Sequence, residues 1–178
     1  MSKVNWNLDP THSEVGFKVK HMMVTNLSGH FGEFNVIAST DGEDFGSAVI
    51  SFSAKTASVN TGNEQRDGHL RSGDFFDSES HPELIFSGSK MENAGGSNYK
   101  LHGNLTIRNV TKPVVLDVEF GGIGKDPWGN TKAGFTVTGK INRKDFGLNW
   151  NAALETGGML VSEEVRLNSE IQLVKAST

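Results

Sequence analysis

The sequence predicts an all-β fold, and three observations carry that expectation. Stretches in which apolar and polar residues alternate with period two recur along the chain, separated by turn-like segments such as "STDGEDFG", "NAGGSN" and "GKDPWGN". Glycine is abundant, 21 of 178 residues, while only 4 prolines occur, which suits turns, bulges and bent strands. The length is that of one compact domain, spanning 1–178, with a sizeable core.

The first clear strand lies in "SEVGFKVKHM", where Ser13, Val15, Phe17, Val19 and His21 share one phase and Glu14, Gly16, Lys18 and Lys20 occupy the other. Weaker alternation follows from Phe34 to Ala38 and from Val49 to Ala54, which contains Phe52. The β pattern is then interrupted by "NEQRDGHLRSGDFF". Thr61 is placed as the N-cap of a capping box closed by Glu64, Asp67 and Arg71 stand at i, i+4, and Gly73 ends a short helix over 61–72. Gly68 inside it costs about 1 kcal/mol, so the helix depends on packing, through Leu70 with Phe75 and Phe76 nearby.

Strand signals resume at Leu84 to Ser87, with Leu84 and Phe86 in phase. "YKLHGNLTIRN" sets Tyr99, Leu101, Gly103, Leu105 and Ile107 against Lys100, His102, Asn104, Thr106 and Arg108. A further strand runs from Val114 to Phe120. "AGFTVTGKIN" aligns Phe135, Val137, Gly139 and Ile141, and "EVRLNSEIQLV" aligns Val165, Leu167, Ser169, Ile171 and Leu173. About eight strands joined by short turns favour antiparallel neighbours, in either a sandwich of two sheets or a closed barrel. Several alternate over nine or more residues, roughly 30 Å at about 3.3 Å per residue, long enough to line an elongated interior. Gly103, Gly139 and Ser169, in phase with bulky residues, either leave room inside or mark bulges and bends.

The formal charge of −4, with Lys and Arg scattered, shows no nucleic-acid footprint and no polybasic membrane patch. With no cysteine there is no disulfide, thiolate metal site or cysteine nucleophile. No apolar run approaches the ~18 residues of a membrane span, and the start has no leader-like apolar segment, so a cytoplasmic protein is expected; a trimmed periplasmic one would look much the same. The six histidines show no recognised metal-ligand spacing, and no metal or cofactor is expected. His21 follows the apolar phase inward, where an imidazole needs a partner or a polar ligand group. No nucleophile elbow, Walker loop or dinucleotide fingerprint occurs.

The blocks "WNLDPTHSEVGFKVKHM", "RDGHLRSGDFFD", "HPELIFS", "YKLHGNLTIRNVTKPVVL", "INRKDFGL" and "SEEVRLNSEIQL" occur in the order seen in the YceI-like family of bacterial lipid-binding proteins. The chain resembles that family from Trp6 to Leu173. The resemblance implies a lipocalin-like, extended eight-stranded antiparallel barrel with a helix near one end, often dimeric, holding a polyisoprenoid, quinone or similar long-chain lipid. The expected function is therefore non-enzymatic binding, sequestration or transport of such a lipid, by a homodimer. The alternatives are a hydrolase acting on a bound amphiphile and a stress or interaction protein with a filled core.

The interior positions expected to meet ligand are Val15, Phe17, Val19 and His21, then Phe34, Phe52, Leu84 and Phe86, then Leu101, Leu105, Ile107, Phe135, Val137 and Ile141. Arg66 and Arg143 are the expected partners of a diphosphate if they face the opening, since guanidinium binds phosphate bidentately. The local alternative pairs Asp67 with Arg71 and Arg143 with Asp145, making both segments structural determinants.

Overall fold

A computed structural model describes residues 2–152, 154 and 160–177. It contains β1 (Lys3–Leu8), β2 (Glu14–His21), β3 (Thr25–Phe31), β4 (Phe34–Asp41), β5 (Asp44–Lys55), β6 (Val59–Asn60), β7 (Glu83–Gly95), β8 (Asn98–Ile107), β9 (Val110–Lys125), β10 (Thr131–Asn142) and β11 (Val161–Lys175), with one α-helix, α1 (Glu64–Arg71). Their pairings are antiparallel. Because β1 lies against β4 on one side and β11 on the other, the sheet closes into an eight-stranded barrel of β1, β4, β5, β7, β8, β9, β10 and β11. Of the two architectures open to one-sided strands, the barrel is the one formed.

The other three strands continue three of these walls. β2 carries β1 onward along β11, after a break at Pro10–His12 where Asp9 and Ser13 both bond to the Gln172 carbonyl. Proline lacks the N–H that a ladder needs, so the wall is interrupted there. β3 similarly precedes β4, and β6 follows β5 after a short 3-10 turn at Thr56–Ser58. This is why the count from sequence and the count of walls agree although the strands number more.

The two ends of the barrel are built differently. At the end holding the β4–β5 and β9–β10 turns, Trp6 meets Phe45 with ring centroids 4.9 Å apart, and Phe45 meets Phe120 at 5.3 Å and Phe135 at 4.9 Å. Trp6 is fully buried, and its indole N–H donates to Thr40 Oγ1 at 2.9 Å, whose hydroxyl donates onward to the Gly42 carbonyl at 2.7 Å. A buried donor left unpaired is costly, so this short relay fixes the ring as well as satisfying it. Nearby, Asp9 accepts from Lys132 and from His12 Nδ1, and the Lys132 ammonium holds the Asp9 carboxyl far below the usual carboxylate range against the opposing effect of burial.

At the other end the regular strands give way to α1, the loop that follows it, and the segment after β10. The helix is shorter than 61–72 and its cap differs from the expected one. Asn63 is the N-cap, its side chain accepting from the Arg66 N–H at 2.9 Å, and Ser72 follows the last turn. Thr61 is held by Asp67, whose buried carboxylate accepts from both the Thr61 N–H and hydroxyl, so Asp67 is unavailable to Arg71. Arg71 instead reaches back to Glu64 at 2.7 Å. Arg108, in the β8–β9 turn, donates to the carbonyls of Gly73 and Phe75 and so ties the post-helix loop to the barrel.

The inward glycines also differ from the expectation that they leave room inside. A Cβ on Gly103 would lie 2.5 Å from the Phe86 ring and 2.4 Å from the Ser87 carbonyl, and one on Gly139 would lie 2.6 Å from Leu116. These are dents filled by side chains of the adjacent strand and not empty space; opposite Gly103 the pairing also shifts register between Gly88 and Lys90, as the bulge alternative expects. Ser169, in contrast, does border free volume.

Candidate functional site: an apolar cavity inside the barrel

The inward phases enclose a cavity of about 370 Å³. That lies within the range of roughly 300–1,000 Å³ typical of small-ligand sites. Along β11 its lining includes Val165, Leu167, Ser169, Ile171 and Leu173; the steps from Val165 to Leu173 cover roughly 26 Å of strand, or about 20 Å of axis at the usual barrel tilt. At the plugged end the lining stops at Phe45 and Phe135; Trp6 and Phe120 stand behind them and do not border the space. The hollow is blind on that side.

The strand phase places the predicted residues as follows. Val15, Phe17, Val19 and His21 line it from β2, Phe52, Leu84 and Phe86 from β5 and β7, and Leu101, Leu105 and Ile107 from β8. Phe135, Val137 and Ile141 line it from β10, and Arg66 and Arg143 border it from the irregular end. Phe34 does not. It opens β4 just where the chain leaves β3, and its ring packs on the core cluster instead of along the hollow.

Residues that sequence reasoning did not nominate fall into two groups. Val36, Ala38 and Ile50, like the whole inner face of β11, carry the same alternation and were legible by extending it. Leu70, Phe75 and Phe76, expected to pack the helix onto the barrel, prove to border the cavity as well, and Leu148 and Trp150 sit on an irregular segment where no period exists to reveal a direction.

The polar groups gather at the irregular end. Arg143 is almost completely buried, and instead of pairing with Asp145 it donates to four carbonyls: Nε to Ser162 at 2.8 Å, Nη1 to Leu148 and Trp150, and Nη2 to Val161 at 3.2 Å. Burial pulls its pKa down, with the nearby Glu163 acting in the opposite sense. Four carbonyl partners make Arg143 the pin that gathers the chain after β10 against the start of β11. Arg66 is likewise engaged, Nε with Thr61 Oγ1 and Nη2 with the Thr61 carbonyl, both at 2.8 Å. His69 bonds to Asp74 at 2.9 Å and packs edge-on to Trp150 with centroids 4.6 Å apart. His21 borders the cavity and has no side-chain hydrogen bond among the described residues. A shallow surface hollow bordered by Asn63, Gln65, Arg66 and His69 shares its last two residues with the cavity, so this end adjoins solvent.

Residues 6–173 match the family model of the YceI-like domain. The chain belongs to the YceI-like family. It is 37% identical to a UPF0312 protein of Staphylococcus aureus strain MSSA476, over 94% of this chain and 96% of that one. Among solved structures, a YCEI protein of Campylobacter jejuni superimposes with a TM-score of 0.77 at 34% identity, covering 96% of this YceI-like chain and 97% of its counterpart. A polyisoprenoid binding domain from Saccharophagus degradans shares the fold, with a TM-score of 0.66 at 15% identity over 96% and 98% of the two chains.

Proposed function

We propose that this YceI-like protein binds and carries a long-chain amphiphilic lipid, of the polyisoprenoid, quinone or fatty-acyl kind, with its tail inside the barrel. One observation carries the reading: the interior holds a blind hollow lined by Leu, Ile, Val and Phe. Apolar surface on both sides gives a hydrocarbon tail the water-free surroundings it prefers. Each methylene withdrawn from water contributes about 0.8 kcal/mol, so a dozen would supply roughly 10 kcal/mol before ordering costs are subtracted. The name of the Saccharophagus degradans domain points to the same class of ligand. The head group then rests at the irregular end, where His21 and His69 present ring nitrogens beside the opening. Arg66 and Arg143 contribute positive potential there, although most of their donors already meet protein oxygens.

A hydrolytic reading has less to stand on. No Asp or Glu lines the cavity among the described residues, and the His69–Asp74 pair has no Ser or Thr hydroxyl bonded to the imidazole.

Native mass spectrometry of the purified protein, followed by organic extraction, tests the proposal: one intact lipid per barrel is expected. Ser169→Phe supplies the companion measurement, because it fills the hollow from within a small side chain's position while leaving the strand's phase intact. The filled variant should fold and emerge without lipid; retention equal to that of the parent protein would refute carriage inside the barrel.

A further inference from the structure

The hairpin between β2 and β3 ends in Met22, Met23 and Val24, exposed by 47%, 57% and 75%. The Val24 N–H donates to the His21 carbonyl at 3.2 Å, closing a tight turn in which Met22 and Met23 both adopt positive φ, 53° and 63°. This is the type I′ pattern, which strongly favours Asn and Gly because a side chain there is crowded. The β8–β9 turn solves the same problem differently. Its positive-φ residues are Arg108 and Asn109; Asn suits the conformation, and Arg108 uses its position to bond the Gly73 and Phe75 carbonyls. Met22 and Met23 have no such internal task, since neither belongs to the apolar core or its packed surround. Two unbranched apolar side chains are thus held outward in a backbone conformation that disfavours them.

Their place in the fold supplies the reason. The Met22 N–H donates to the Leu160 carbonyl at 2.8 Å, and Leu160, Val161 and His21 all border the cavity. The apolar tip is therefore fastened to the rim of the hollow at its irregular end. On β2, Lys18 and Lys20 stand exposed beside it, Lys20 also bordering the cavity, and join no ion pair among the described residues, whereas Glu163 and Glu164 of the adjoining β11 are paired with Lys144 and Arg166.

We propose that the Met22–Met23–Val24 turn is a docking tip that enters the interfacial layer of an anionic lipid bilayer, with Lys18 and Lys20 on the head groups, and sets the cavity rim against the membrane. This rests on lipid carriage as the function: a tail that leaves a bilayer for the barrel avoids water only if the two apolar phases meet. Apolar side chains in the interface together with a small basic complement are what reversible attachment of this kind requires.

The test uses the full chain with extruded vesicles of phosphatidylcholine and phosphatidylglycerol, read by cosedimentation and by transfer of a fluorescent isoprenoid from donor vesicles. In the double variant Met22→Asn/Met23→Gly both new residues suit positive φ, so its melting temperature should match or exceed that of the parent. Vesicle affinity and transfer rate should fall about tenfold or more. Lys18→Gln and Lys20→Gln should each weaken binding about fivefold, and only when the anionic lipid is present. Trp128→Ser, which removes an 84% exposed ring from the opposite end, should change neither. Equal vesicle binding by the double variant, or a loss of self-association in place of vesicle binding, would overturn the proposal. Lipid retention by native mass spectrometry keeps the two claims apart: a parent protein that holds lipid yet ignores vesicles defeats docking alone, and one that binds vesicles yet holds no lipid defeats carriage.

Discussion

One end of this barrel is finished by aromatic packing, and the other adds polar pinning to a second aromatic cluster of His69, Phe75 and Trp150. Trp6, Phe45, Phe120 and Phe135 fill the first with rings that need a single hydrogen bond between them, from Trp6 to Thr40. The second is held by Arg143 on four carbonyls and by Arg108 on two, over segments with little regular structure. Close-packed rings exclude water and resist partial opening. The second end also buries Phe75, Phe146 and Leu148, so its charged donors add to apolar packing, but they do so over backbone with little regular hydrogen bonding, the kind of region that opens locally below the global unfolding energy. The first end is the one expected to stabilise the fold, and the second is the one through which the proposed ligand would enter.

Substitutions at the two ends should therefore separate stability from retention. Trp6→Ala empties the centre of the plug and should lower the urea-derived unfolding free energy by about 3–5 kcal/mol. A loss under about 1 kcal/mol would mean that the ring cluster is not the stabilising end. Arg143→Met leaves four carbonyls without their donor and should lower stability by about 2–4 kcal/mol, with faster release of bound lipid as the pinned segment loosens. If release and global unfolding accelerate in step, the two ends are not independent. Thr40→Val should reduce stability by roughly 1–3 kcal/mol through the unpaired Trp6 N–H, with lipid retention unchanged.

Acid titration sharpens the plugged end further. The Asp9 carboxyl is depressed in the folded protein, chiefly by its bond to Lys132 and also by bonds to His12 and Thr11. A depressed acid contributes stability that is full above its unfolded pKa, about 4, and lost as pH falls from there toward the folded value. Thermal unfolding followed between about pH 5 and pH 2 should show a loss of roughly 1–3 kcal/mol that is absent in Asp9→Asn. The smallest effect on stability is expected at the open end: His69→Ala, whose side chain is about one-third exposed and touches Phe75 and Trp150 at its edge, should change it by about 1 kcal/mol or less while shortening the lifetime of the lipid complex. Unaltered lifetime would remove His69 from the head-group region.

The walls of the barrel were legible in the sequence because period-two alternation is a direct record of which side faces inward. Val15 to His21, Leu101 to Ile107 and Phe135 to Ile141 follow from it residue by residue. The resemblance to the YceI-like family implied closure, which alternation alone leaves open between barrel and sandwich, and it also implied the ligand class that is proposed. Phe34 was misplaced because a strand's first residue keeps its phase but not its surroundings. The irregular end escaped prediction for another reason. Asp67 and Arg71 at i, i+4, and Arg143 two residues before Asp145, look like local ion pairs, yet Asp67 turns back to Thr61 and Arg143 turns to carbonyls up to nineteen residues away. Buried polar groups take the partners that desolvation leaves within reach, and those are fixed by tertiary placement. Glycine gave a similar lesson at Gly103, whose missing side chain makes space that Phe86 occupies.

The plug at Phe45 and Phe135 turns the hollow into a gauge. On the proposal of a tail held inside the barrel, a guest would slide in foot-first until it met a wall, and any surplus carbons would protrude at the doorway. Affinity should climb with each added unit and then level off abruptly, and the position of that break measures the depth of the shaft.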